Sequence, residues 1–524
     1  MPAKPVASDA AARLKTEPGS FRDRNSRVVY QDGRIRRVLN DRALGHWRAL
    51  AAAPFFERRQ ADGSIVATRE LESDAAGAPE TGDAEAWVAR LEHEAIPFLS
   101  YAYEWPFSML KDAALLHLDL LSDALDADLI LKDSTHFNIQ WRGAQPVFID
   151  IPSFESLGAG EAWTGYRQFC CMFLYPLMLQ SYKDIPYHAW LRGSVEGIAP
   201  GIMNQHMSAR DYLRSGVLTH VYLQSSLEKR YSGGSQNLRG AVADAGFHKE
   251  IIRNNVRGLR KLVNKLSWGD GHSEWSHYAT QTSYDSDETA RKQAFVKRAA
   301  SSKADGWRLA WDLGANTGVY SRIVAQHAQS VLAMDADHLA VDRMYRQLKQ
   351  ERADASTSGA SVSGSESSNA NANANANANA NANANANVAA KILPLVMNLA
   401  DPTPALGWRG AERKNLVDRG RPELVLSLAL IHHVVIAANI PVREFIEWLA
   451  SLGASIVIEF VTREDEMVQR LLRNKVDQYS DYTTDYFEAC LAEYFRVQER
   501  EELKGGLRII YFAHPLKNPP GAAQ

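Results

Sequence analysis

Asp312 stands near the end of an apolar run, residues 309–313, and is followed at once by a turn that contains Gly314, Asn316 and Gly318. An acid at a strand end, glycines that let the backbone approach a ligand closely, and a helix beyond them form a unit suited to a nucleotide-like molecule. The order here is Asp-x-Gly-x-Asn-x-Gly, without the third glycine of a dinucleotide fingerprint. Asp312 would repel a pyrophosphate seated on the helix N-terminus. The same carboxylate suits a ligand that has no phosphate and carries a cationic end. Asp335 closes a second apolar run, residues 331–334. It follows Gly314 by about 20 residues, the interval at which an acid accepts both ribose hydroxyls.

Further candidates stand at later strand ends. A third run, residues 391–397, ends at Asn398 and Leu399, and a fourth, residues 423–431, ends at His432 and His433. An imidazole at such a place is the best candidate general base. A fifth run, residues 454–460, carries Glu459, with Asp465 in the turn beyond, and two last runs, residues 495–498 and 507–512, read as a closing hairpin. The helix that leads into the glycine turn contains Lys292, Phe295 and Val296. Tyr278 and Tyr284 precede it and could stack on the ligand or serve as interface aromatics.

The stretch from 311 to 337 resembles motif I and the following acidic position of class I S-adenosylmethionine (SAM)-dependent methyltransferases. The resemblance implies an α/β fold with a seven-stranded Rossmann-like sheet and SAM as cofactor. The cofactor face would be Asp312, Gly314, Asn316, Gly318 and Asp335, with Asn398 and Leu399 at the adenine and the methyl near His432 and His433. No Asn/Asp-Pro-Pro-Tyr/Trp motif occurs at the fourth strand end, which argues against methylation of an exocyclic amine. Because a SAM methyl is reactive, positioning alone can suffice and no base is strictly required. The alternative reading of the turn is a tight loop in an unrelated α/β core.

The first half holds another constellation. Residues 101–150 resemble, in order and spacing, the hinge, long helix, catalytic loop and metal-binding aspartate of the protein-kinase and aminoglycoside-kinase superfamily. That resemblance would make Asp133 a base and Asn138 and Asp150 metal ligands. Lys132 replaces the usual residue before the first aspartate, and Pro152 and Ser153 replace the glycine after the last. No glycine-rich loop or strand lysine is found upstream, so the implied N-terminal α+β domain is a degenerate kinase-like one. The plainer reading has Asp133 capping a turn, Asn138 bonding the loop backbone and Asp150 in a polar loop. Taken together, residues 131–138, 146–150, 312–318, 429–433 and 458–461 look like a family of host-specific nodulation proteins of the NoeA type, over residues 28–515.

A chain of 524 residues exceeds one ordinary core. Composition and turn signals divide it into a disordered tail at 1–27, an N-terminal domain at 28–270 and a methyltransferase domain at 271–515. A Ser/Gly-rich and Asn-Ala repeat insertion at 353–390 interrupts the second domain. Alternating Asn and Ala offer neither face worth burying, so the insertion reads as a disordered loop. Past the third strand, Glu412 and Arg413 are expected to pair and fix the loop. The net charge of −3 gives no field for nucleic acid. Cys170, Cys171 and Cys490 make no disulfide framework and lack zinc spacing. No metal is called beyond the kinase-like site. The longest apolar run, residues 169–179, is too short for a bilayer, and the N-terminus has no signal core, so a cytoplasmic protein without membrane attachment is expected.

Two functions follow. One is a methyltransferase acting on an unidentified acceptor, with the first half binding or presenting it. The other is a non-catalytic scaffold or sensor that binds SAM and a nucleotide. Deleting the 353–390 loop is expected to leave cofactor affinity unchanged by calorimetry; a large loss would overturn the loop assignment.

Overall fold

The computed structural model describes residues 14–72, 87–231, 249–269, 286–360, 380, 382–473, 475–476 and 478–517. In the first half, five antiparallel strands form one sheet: β1 (Lys15–Thr16), β2 (Ser26–Gln31), β3 (Arg34–Leu39), β4 (Thr68–Leu71) and β5 (Ala89–His93), in the order β1-β2-β3-β5-β4. Asp32 and Gly33 join β2 to β3 with φ of 52° and 73°, the left-handed pair that matches strand twist in a two-residue hairpin. Ordered chain therefore begins well before Val28. β1 pairs with β2, and Glu17 accepts the Tyr30 hydroxyl and pairs with Lys414, so the expected 1–27 tail is too long.

The chain then passes through residues 98–104 into the helix Phe107–Asp126, whose apolar positions Met109, Leu110, Ala113, Leu120 and Leu121 are fully buried. Two small antiparallel pairs follow, β6 (Leu129–Leu131) with β9 (Phe154–Ser156) and β7 (Ile139–Arg142) with β8 (Gln145–Phe148). Mostly helical chain covers residues 166–231 and 249–265. The expected junction near 270, with Tyr278 and Tyr284, lies outside the described residues.

The second half holds a seven-stranded sheet of β10 (Trp307–Leu313), β11 (Ala328–Asp335), β12 (Ile392–Val396), β13 (Leu424–Ser427), β14 (Ser455–Val461), β15 (Phe495–Leu503) and β16 (Arg508–Pro515). Its order is β12-β11-β10-β13-β14-β16-β15, with β10 to β14 parallel and β16 antiparallel to both neighbours. Parallel strands covered on both faces read as near-continuous apolar runs, and β14, with Glu459 as its one charge, is buried at all seven positions. The order turns at β10, where β11 lies to one side and β13 to the other; such a switch point opens a crevice at the carboxyl ends. The helix His338–Ala360 runs into the expected insertion, and residues 382–389 are helical again with Ala389 buried, so both margins of 353–390 belong to the fold. The core of the Asn-Ala repeat lies outside the described residues.

Among the described residues the halves share one fully buried ion pair. Arg419 donates twice to Glu104 at 2.7 Å each, and both side chains are essentially inaccessible. Breaking such a pair leaves an uncompensated buried charge, whereas exposed pairs contribute little. Arg419→Met should therefore destabilise the protein by about 3–5 kcal/mol in urea unfolding. Arg298→Ala, which opens an exposed pair with Glu499, should change stability by less than about 1 kcal/mol.

Candidate active site

The site is built at the switch point. β10 delivers Asp312 almost fully buried, and the chain then turns through Gly314 (φ 75°), Asn316 (φ 49°) and Gly318 (φ 79°). The Gly314 and Ala315 N–H groups both donate to the Met334 carbonyl, at 2.8 and 3.0 Å, which ties the turn to β11. Gly318 caps the helix Val319–Ala325, and a Cβ there would stand 2.8 Å from Met344 Sδ. Asp335 accepts the Asn316 N–H at 2.8 Å through one oxygen and the Asp337 N–H at 2.9 Å through the other. A carboxylate oxygen has two lone pairs, so each keeps acceptor capacity for a diol. Asp312 takes a 2.5 Å bond from the Ser321 hydroxyl. Burial, with the nearby Asp335 charge, pushes its carboxyl up to about 6 against that bond and the Lys292 charge.

These residues line a cavity of about 610 Å³, within the roughly 300–1,000 Å³ of small-molecule sites. Of the expected cofactor residues, the wall includes Asp312, Gly314, Asn316, Asp335, Asn398 and Leu399. Gly318 acts behind the wall by allowing the turn. Asn398 accepts the Ala400 N–H at 3.0 Å through its side-chain oxygen, leaving its amide hydrogens as the donors it can offer.

The two histidines separate. His433 lines the cavity at the start of a π-helical turn, His433–Ala437. Burial and the Arg508 charge lower its imidazole to about 4, so it is neutral at pH 7. His432 is fully buried behind it, and neither ring nitrogen has a partner among the described residues. Its predicted role as a base is corrected: a side chain enclosed in the core does not reach a ligand in this cavity. Ala429, just before, is held at φ 50°, a strained conformation of the kind found where a backbone is shaped around a ligand.

Sequence reasoning placed Lys292 on the leading helix without a role in the site, and it missed Thr289 and Tyr320; all three line the cavity. Lys292 is buried, donates to Glu459 at 2.6 Å and lies 5.0 Å from the Tyr320 ring centroid. Desolvation lowers its pKa against the pull of Glu459. Arg508 stands 3.6 Å from Glu459 and 2.9 Å from Asp465, completing a buried network. The signal was available in Glu459 itself, a charge within an otherwise apolar strand, which demands a buried cation.

In the first half, Asn138 donates to the Asp133 carbonyl at 3.4 Å and to the Ser153 hydroxyl at 3.2 Å, as the plainer reading of that loop expects. Asp150 pairs with Arg37 at 3.1 Å, and burial together with the Asp150 charge raises the Asp133 carboxyl. Among the described residues no group of three or more His, Cys, Asp or Glu side chains is arranged to hold a metal ion. The expected Glu412–Arg413 pair gives way to other partners: Glu412 binds Arg22 and the Trp408 N–H, while Arg413 lies over the Phe137 ring. No helix among the described residues is long and apolar enough to cross a membrane.

The cradle fits SAM. A buried carboxylate such as Asp312 would attract a cationic amino-acid end, Asp335 keeps acceptor capacity for a diol, and a Cβ on Gly314 would come within 3.3 Å of Leu430. The strand order, the acid-bearing switch point and the glycine turn are those that the resemblance to class I SAM-dependent methyltransferases implies. The chain is similar to nodulation protein NoeA of Rhizobium meliloti (strain 1021), 28% identical over 506 residues that cover 96% of each chain. No family model matches. Among solved structures, N-methyltransferase NodS from Bradyrhizobium japonicum WM9 in complex with S-adenosyl-l-homocysteine (SAH) aligns with 45% of this chain and 90% of its own, at 10% identity and TM-score 0.28. Magnesium protoporphyrin IX methyltransferase (ChlM) from Synechocystis PCC 6803 with bound SAM aligns with 48% and 87%, at 13% identity and TM-score 0.24.

The raised Asp312 carboxyl sets a pH dependence. Its ionised form attracts the ligand ammonium and its protonated form does not, so affinity should be full above pH 6 and fall by up to about tenfold per unit below it. Calorimetry with SAH between pH 7.5 and 5 checks this, and Asp312→Asn should bind weakly with that slope removed.

Proposed function

We propose that the chain transfers the methyl group of SAM to an acceptor entering beside His433, Ala437 and Ala438, with the first half supporting the site. The observation that carries this reading is that Asp312, Asp335 and His433, drawn from three strand ends, line one cavity at the sheet's switch point. SAM supplies the activated methyl. The protein's share is to hold the cationic end at Asp312 and the ribose at Asp335, and to exclude water on the apolar side formed by Leu428, Leu430 and Val434.

His433 is a neutral acceptor at pH 7 that can orient a nucleophile's O–H or N–H toward the methyl. With its imidazole at about 4, it takes a proton fully only after the nucleophile has begun to bond. His432 has no part in the step. Similarity to NoeA along 96% of the chain supports treating both halves as one functional unit.

A second reading concerns the first half, as a nucleotide-binding scaffold of degenerate kinase-like type. It is supported by the strand order β1-β2-β3-β5-β4, the long helix after it, and two loops beyond that helix, one with Asp133 and Asn138 between β6 and β7 and one with Asp150 between β8 and β9. Binding of ATP with Mg²⁺ that is lost in Asp150→Ala, without methyl transfer to any lysate fraction, would favour it.

Incubation with [methyl-³H]SAM and fractionated lysate tests the principal reading and reports the acceptor class. Label should enter one fraction. Asp335→Ala should weaken SAM binding by about tenfold or more, since a hydrogen bond to a charged group contributes roughly 1.5–3 kcal/mol. His433→Ala should lower transfer with SAM affinity nearly unchanged, and His432→Gln should act on stability alone. Wild-type protein that fails to bind SAM would sink the proposal.

A further inference from the structure

The segment between β12 and β13 carries the cavity residues Met397, Asn398, Leu399 and Ala400, yet much of what holds it belongs to the other half of the chain. Arg192 grips Asp401 with two bonds, at 2.9 and 3.0 Å. The Thr403 hydroxyl donates to Glu104 at 2.6 Å and lies 3.7 Å from Met397 Sδ. The Tyr101 hydroxyl accepts the Lys414 N–H at 2.8 Å, and Glu17 accepts the Lys414 ammonium at 2.7 Å. Arg419, at the far end, returns to the same Glu104 and also donates to the Leu99 carbonyl at 2.9 Å.

Glu104 is the centre of this arrangement. One buried carboxylate takes the Arg419 fork, the Thr403 hydroxyl and the Tyr101 N–H, the last at 3.1 Å, so its acceptor sites are filled in a single geometry. Thr403 is only 5% exposed, and water cannot readily replace its bond. Asn398 and Ala400, by contrast, are exposed and are joined by only a local turn. A stretch so placed keeps its shape only if its ends are fixed.

We infer that Glu104 of the N-terminal half is a positioning residue for the cofactor's adenine edge, acting through Thr403 on residues 397–400, so that the first half determines nucleobase selectivity in the second. This rests on the methyltransferase reading, in which the residues after the third strand face the adenine. Neither Glu104 nor Thr403 lines the cavity. Their effect is transmitted through backbone: the Thr403 side chain fixes the loop five residues after Asn398, and the Met397 N–H is itself tied to the Asp335 carbonyl at 2.8 Å. Adenine edge and ribose acid are thereby held in one register.

The test uses the full chain and two ligands, SAH and S-inosyl-L-homocysteine, which differ at the base edge where an amino group becomes a carbonyl. Wild type should bind SAH at least tenfold more tightly than the inosyl analogue. Thr403→Val should weaken SAH about fivefold or more and bring that ratio toward one, and Thr403→Ser should restore both within about twofold. A thermal unfolding midpoint is measured for each variant. If Thr403→Val lowers the midpoint but keeps the wild-type ratio, Glu104 and Thr403 are merely structural and the inference fails. It fails equally if neither quantity moves, or if wild type binds both ligands alike. Wild type that binds neither ligand would instead overturn the methyltransferase reading itself.

Discussion

A carboxylate at the end of a buried strand stays ionised only if something positive or a hydrogen-bond donor reaches it, and this constraint organises the second half of the molecule. Asp312, Asp335 and Glu459 occupy the carboxyl ends of β10, β11 and β14. Each meets the requirement differently. Glu459 is answered from within the protein by Lys292 and Arg508. Asp335 is answered by backbone N–H groups of the glycine turn and its own following loop. Asp312 has a hydroxyl and a more distant lysine, and its carboxyl sits near 6. It is the acid with the most to gain from a cationic ligand, which is why the cofactor reading begins there.

The same constraint explains why Lys292 in the wall, with Arg508 behind it, does not make an anion site. Lys292 and Arg508 are balanced by Glu459 and Asp465, so the wall presents no large net charge. Its contribution to chemistry lies in geometry and in the field felt by His433, whose imidazole Arg508 helps to keep neutral. A neutral imidazole at this place can accept a hydrogen bond from a nucleophile without repelling a sulfonium. A protonated one could do neither.

Much of the second half was legible because its signals are local. Asp312, the glycines and Asp335 fall within one strand-turn-helix-strand unit, and the last strands announce themselves by apolar runs. His432 and His433 show the limit of that reading. Adjacent residues entering a helix point in different directions, and only the backbone path decides which ring meets the cavity. Lys292 was hidden for another reason: a lysine on a helix usually extends into solvent. Only its partner Glu459, a charge in an apolar strand, implied otherwise. In the first half the order of Asp133, Asn138 and Asp150 was plain, but Arg37 comes from a strand about a hundred residues earlier, and no spacing rule connects it to Asp150.

The domain junction was the least legible part because it depends on pairs that no local pattern links. Glu104 follows Tyr103 in a short irregular stretch, and Arg419 closes a loop more than three hundred residues later. Neither looks unusual alone. Together they form a fully buried bidentate pair with aromatic faces on the guanidinium, Phe98 at 4.9 Å and Tyr101 at 5.0 Å. A buried pair gains little stability over well-packed apolar residues, but separating its members is costly. The consequence is that the second half cannot be parted from the first without exposing or stranding Arg419. The loop between β12 and β13 is held from the first half in the same way, by Arg192 on Asp401, Glu104 on Thr403 and Tyr101 on the Lys414 N–H.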